Sequence, residues 1–104
     1  MRKVKTFTDL VFNPHALSKG ARHLPSPLRE IYMEAKQAVM QFKNGYGISV
    51  IKGTVFYSNG IDTYEVAVLK DGAICYDTSI TDDVIGYVNA DEVSNIMKQI
   101  QELE

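Results

Sequence analysis

Cysteine is nearly absent. Cys75 is the single thiol of the chain, so no internal disulfide can form, which fits a reducing compartment. No apolar run approaches the roughly 18 residues of a bilayer-spanning helix. The basic start, "MRKVKTFTDLVF", is interrupted by Thr8 and Asp9 and has no small-residue cleavage site behind it. Neither a membrane anchor nor a signal peptide is read there, and the expectation is a cytoplasmic protein without a membrane partner. Blocks of five or more like charges are missing, as are internal repeats and low-complexity tracts, which argues against a charged binding tail, a solenoid and a disordered linker.

What remains is an ordinary globular composition, 45% apolar and 23% charged over 104 residues. That length allows one modest core, so residues 1–104 are read as a single domain. Charge is unevenly placed. Up to Lys43 there are eight basic and three acidic residues (+5), and from Asn44 onward three basic and ten acidic ones (−7). The simplest expectation is that the two halves attract each other within one fold. The alternative is a nucleic-acid interface in the basic half, which a pI near 5.6 does not favour.

Two hairpins are predicted from turn chemistry. Asn44-Gly45 lies between "KQAVMQF" and "YGISVI", and Asp71-Gly72 lies between "TYEVAVLK" and "AICYDT". Both dipeptides tolerate positive φ, so both suit two-residue type I′ loops. In the second hairpin this pairs Lys70 with Ala73, Leu69 with Ile74, Val68 with Cys75, Ala67 with Tyr76 and Val66 with Asp77. Period two then puts Tyr64, Val66, Val68 and Cys75 on one face, expected to be buried. Glu65, Ala67, Leu69, Ile74 and Tyr76 fall on the other, where a second copy of the chain would form a C2 homodimer. The intervening "KGTVFYSNGID" suits either a loop or a strand with a bulge at Gly53.

Near the end, Asn89 and Glu92 have capping-box spacing, and Val93, Ile96, Met97 and Ile100 form one apolar stripe on a helix. Glu102 and Glu104 oppose the macrodipole there, which predicts fraying of the last turn. At the other end "TFTDLVF" suits a strand and "NPHALSKGARHLPSP" a loop. "PLREIYMEAKQAVM" has helical spacing from Pro27, with the change from helix to strand near Lys36.

The stretch "ICYDTSITDDVIGY" concentrates candidate chemistry. Asp77, Asp82 and Asp83 are hard oxygen donors of the kind a divalent cation accepts, but their spacing is not that of a calcium loop and no basic residue lies nearby for a phosphate. Each also has a structural use. Asp77 suits an Asx-turn, Thr81 can cap a helical turn that opens with Asp82 and Asp83, and Gly86 can stop it. Cys75 lacks an evident base, since nothing in the spacing aims His15 or His23 at it, and a buried structural thiol is the simpler reading. No catalytic residue, metal or cofactor is assigned. "NGYG" lacks the lysine and the context of a phosphate loop. Tyr46, Phe56, Tyr57 and Tyr64 suit either cross-strand packing or a stacking platform for single-stranded nucleic acid.

"NGYGISVI", "YEVAVL", "CYDTSITDDVIGY" and the closing helix, with "TFTDLVFNPHA", together resemble a group of small uncharacterised proteins encoded in bacteriophage and prophage genomes. The likeness leaves out roughly Leu17 to Glu34. It carries no catalytic residue. What the resemblance implies is an accessory gene product inside a bacterial host cell that acts by binding host or phage proteins, in some cases inhibiting a host defence system.

The expected architecture is thus α+β: an antiparallel sheet of two β-hairpins, a C-terminal amphipathic helix packed on one face and a shorter N-terminal helix. The leading functional expectation is a non-enzymatic protein that binds a bacterial or phage protein, with Asp77, Asp82, Asp83, Tyr87 and Tyr46 as candidate contacts. Two others are carried: a nucleic-acid binder using the basic half, and a small metal-dependent hydrolase using Asp77, Asp82 and Asp83.

Overall fold

A computed structural model describes residues 4–75, 78, 80 and 84–103. Its centre is a six-stranded antiparallel sheet in the order β1-β2-β3-β4-β5, with β6 also paired to β4. The strands are β1 (Asn13–Pro14), β2 (Lys36–Gln41), β3 (Tyr46–Lys52), β4 (Tyr64–Lys70), β5 (Ala73–Ile74) and β6 (Ile85–Val88). Helices α1 (Ala16–Lys19) and α2 (Leu28–Met33) precede β2, and α3 (Ala90–Gln101) closes the chain. The fold is α+β, as expected. No described helix is long and apolar enough to cross a membrane.

Alternation along the strands puts Ile48, Val50, Tyr64, Val66 and Val68 on one face, all buried. They meet Val93, Ile96, Met97 and Ile100 of α3, the residues of the apolar stripe, in one core. At roughly 1.5–3 kcal/mol for each fully buried aliphatic side chain, the stripe is worth as much as the net stability of a small domain. The N-terminal segment runs along the same helix. The Gln101 amide accepts from the Lys5 N–H and donates to the Lys5 carbonyl, both at 2.9 Å, and the Phe7 N–H donates to Ser94 Oγ at 3.0 Å. Phe7, Leu10 and Phe12 are thereby laid against the core.

Helix α3 is fastened at both ends. Asn89 accepts from the Glu92 N–H at 2.8 Å while the Glu92 carboxylate accepts from the Asn89 N–H at 3.1 Å, the capping box read from the sequence. At the far end the Asn44 amide donates to the carbonyls of Ile100 (2.9 Å) and Leu103 (3.0 Å) and accepts from the Tyr46 N–H (3.1 Å). A side chain from the first hairpin thus satisfies carbonyls near the helix end, which opposes the fraying expected from Glu102 and Glu104.

That task changes the turn. Asn44 does not take positive φ; Gly45 alone does, at 87°. The Gly45 N–H donates to the Phe42 carbonyl and the Phe42 N–H to the Tyr46 carbonyl, which makes a three-residue loop with a left-handed glycine in place of the expected type I′ turn. The second hairpin follows expectation, with Asp71 and Gly72 at φ of 52° and 87°. Its ladder pairs Lys70 with Ala73 and Leu69 with Ile74, and the Cys75 N–H donates to the Val68 carbonyl. Beyond that, β6 pairs with β4, Ile85 with Val66 and Val88 with Tyr64. Tyr76 and Asp77, expected opposite Ala67 and Val66, lie outside the described residues.

Other expectations are corrected locally. "TFTDLVF" holds a 3-10 turn at Phe7–Asp9, closed by reciprocal Thr6 and Asp9 capping, where a strand was expected. "NPHALSKGARHLPSP" contains β1, α1 and a 3-10 turn at Ala21–His23, more ordered than a loop. Helix α2 ends at Met33, so Val39, expected to share its apolar spacing, lies in β2; the change at Lys36 is as expected. Residues 53–63 are a loop without strand pairing, and Gly86 lies within β6 and does not end a helix.

Asn44→Ala removes three hydrogen bonds that join turn to helix. It is expected to lower unfolding free energy by about 2–3 kcal/mol, against about 1 kcal/mol for Asn89→Ala, in urea titrations. Equal losses would show that the Asn44 amide is not what holds the helix end.

Candidate functional site

Antiparallel pairing gives the sheet two unlike ends. The two hairpin turns and the last turn of α3 share one end, tied together by Asn44 and by the Asp71 N–H, which donates to the Gly45 carbonyl at 3.0 Å. The other end gathers the starts of β2 and β4, the ends of β3 and β6, the long loop 53–63 and the helical excursion 16–33.

The predicted contact residues divide between these ends. Tyr46 sits at the hairpin end, packed on the core with the Lys70 ammonium 5.1 Å from its ring centroid, so both ring and edge are engaged within the chain. Tyr87 is at the loop end and 60% exposed. Asp77, Asp82 and Asp83, together with Thr81, lie outside the described residues. Cys75 is half-buried against the core, on the face the register assigned to it. His15 packs on Phe56 with ring centroids 4.9 Å apart, an arrangement unrelated to the thiol. The aromatics proposed as a stacking platform do not share a surface. Tyr64 is core, Phe56 lies against His15, Tyr46 lies under Lys70, and Tyr57 stands exposed. On the face considered for a homodimer, Ala67 and Leu69 are already buried at 7% and 6%, while Ile74 is exposed. Between described residues the ion pair present is Arg29–Glu30 at 3.5 Å, both in the basic half, so no such pair joins the two halves there.

One exposed aromatic pair stands out at the loop end. The rings of Tyr57 and Tyr87 lie 6.2 Å apart at 60°, and the Tyr87 N–H donates to the Tyr57 carbonyl at 2.9 Å. Tyr87 holds φ of 54°, a left-handed conformation in which a bulky side chain is a true outlier, at a cost of about 1–3 kcal/mol. The cause is local. The β4–β6 ladder shifts register between Tyr64 and Val66, and Gly86 lets the loop come so close that an added Cβ would sit 2.5 Å from Tyr57 Cβ.

The loop behind Tyr57 is internally braced. Asn59 Oδ1 accepts from the N–H groups of Ile61, Asp62 and Thr63. Buried Ser58 donates to the Thr63 carbonyl at 2.7 Å and accepts from the N–H groups of Gly53 and Gly60. The Glu65 carboxylate accepts from the Tyr57 N–H at 3.2 Å. Rigid, exposed tyrosines offer large contact area at little conformational cost. The sequence named Tyr87 as a candidate contact and Tyr57 only among the aromatics of a stacking platform, not as a pair; the Ser-Asn-Gly run was a visible sign of a built loop, whereas the register shift that pairs the rings leaves no local signature.

No family model, curated protein or solved structure matches the chain.

If Tyr87 is kept for contact and not for packing, Tyr87→Asn, which suits positive φ, is expected to stay within about 0.5 kcal/mol of the parent in chemical denaturation. A loss above about 2 kcal/mol would make Tyr87 a structural residue. Beneath the pair, burial raises the Tyr64 phenol above its ordinary 10.0, with the Asp62 charge adding to the effect. The unfolded chain then releases this proton first, so the associated stability is intact below about pH 10 and declines as pH rises through the folded value. Absorbance of ionised tyrosine should show one late-titrating group that disappears in Tyr64→Phe.

Proposed function

We propose that this chain is a non-catalytic accessory protein of the phage type, working in the bacterial cytoplasm by binding a host or phage protein through the Tyr57–Tyr87 pair. The observation that supports it is the exposed Tyr87 held at φ 54° beside Tyr57. A strained bulky residue exposed on β6 beside a braced loop adds nothing to the core, and tyrosine is among the residues that dominate binding energy at protein interfaces. In sequence Asp62 and Glu65 follow Tyr57, and Asp82 and Asp83 precede Tyr87. The fitting partner surface is therefore an apolar pocket rimmed by basic side chains. The resemblance to prophage-encoded proteins favours a host defence component as the target, inhibited by occlusion. The nucleic-acid reading has less support, since the aromatics it needs point to different places.

The experiment compares the wild-type chain, a Tyr57→Ser/Tyr87→Asn double variant and a Val39→Thr control on the exposed part of β2, each as bait in bacterial lysate. A partner held by wild type and control but reduced at least roughly tenfold by the double variant, at unchanged melting temperature, is the expected result. Equal recovery by all three would discard the pair as the contact.

A further inference from the structure

On the opposite face, at the same end of the sheet, the N-terminal segment arches over the strands and leaves a groove of about 450 Å³. Its lining includes Phe7, Leu10, Phe12 and Tyr64 together with Lys36 and Lys52. The volume is within the range of small-molecule sites, about 300–1,000 Å³.

Two properties of the lining point to a ligand. The first is the lysine pair. Lys36 and Lys52 are direct cross-strand partners on β2 and β3, a like-charge pairing that is unfavourable in an empty sheet. Both are half-buried, and neither side chain has an ion pair or hydrogen bond among the described residues. Both residues line the groove, so a dianion bound there would relieve the like-charge pairing. The second property is the aromatic wall. The centroids of Phe7, Phe12 and Tyr64 lie 5.1–5.9 Å from one another with tilts of 33–57°. Such tilted contacts are the favoured packing of aromatic rings, and where this cluster borders the groove it gives an apolar lining for a planar group.

We infer that the groove is a binding site for a phosphate monoester attached to a planar ring, of mononucleotide size, with Lys36 and Lys52 holding the phosphate and Phe7, Phe12 and Tyr64 receiving the ring. A phosphate monoester carries close to two negative charges at neutral pH, which matches two point-charge lysines better than a carboxylate does. Base-on-aromatic stacking supplies the remaining affinity and tolerates different bases. The site uses none of the residues of the Tyr57–Tyr87 pair, so either can fail without the other.

The test is an NMR titration of the isotope-labelled full chain with adenosine monophosphate, adenosine and orthophosphate. Adenosine monophosphate should shift amides of Phe7, Leu10, Lys36, Lys52 and Tyr64 together, and bind at least roughly tenfold tighter than either fragment. Lys36→Gln/Lys52→Gln should weaken it roughly tenfold or more while melting no lower than the parent, because a repulsion has been removed. If that variant melts early, Lys52→Gln alone takes its place, and a loss of roughly threefold or more supports the assignment equally. No clustered shifts at millimolar nucleotide, equal binding by the glutamine variants, or orthophosphate binding as tightly as the nucleotide would each overturn the assignment.

Discussion

Burial of one helical stripe on one sheet face is the constraint from which the other features follow. Val93, Ile96, Met97 and Ile100 need a cover, and Ile48, Val50, Val66 and Val68 are the strand positions in register to supply it together. Once α3 lies there, its first turn is held by its own capping box and its last by a side chain borrowed from the first hairpin. The N-terminal segment has only the flank of the helix left to follow, and Gln101 and Ser94 guide it. One end of the molecule is thus cross-braced by short turns. The other receives the helical excursion 16–33 and the loop 53–63.

That asymmetry separates stability from interaction. The braced end contains Asn44, Tyr46 and Lys70, each already used by a neighbour within the chain. The connection-rich end contains the features whose cost is not repaid internally: a tyrosine at positive φ and two facing lysines. Binding residues commonly sit on loops carried by a rigid scaffold, and here both faces of the same end follow that pattern.

The sequence was most informative where one local rule acted alone. The Asn89–Glu92 box, the stripe of α3, the Asp71-Gly72 turn and the inward set Tyr64, Val66 and Val68 all emerge from spacing, because capping, helical period and strand alternation each depend on a few adjacent residues. It was least informative where distant segments compete. Asn44 looked like a turn residue because its role as a helix cap requires a partner more than fifty positions away. β6 was missed because four residues with a register shift and a glycine give almost no alternation to read. The candidate site divided in the same way: Tyr87 was visible as an aromatic in an acidic stretch, while Tyr57 acquires meaning from the ring it meets on β6, and Lys36 and Lys52 from pairing across the sheet.

The cap formed by Asn44 also sets a chemical clock. Asparagine followed by glycine is the sequence most prone to lose its side-chain nitrogen as ammonia through a cyclic imide, and asparagine is among the thermolabile residues. Conversion of this one amide to a carboxylate would replace two donors with acceptors facing the Ile100 and Leu103 carbonyls, and would set a negative charge at the negative end of the helix. The hydrogen bonds that immobilise the amide therefore also slow its decay, so that ageing of the molecule and loosening of its last helical turn become the same event.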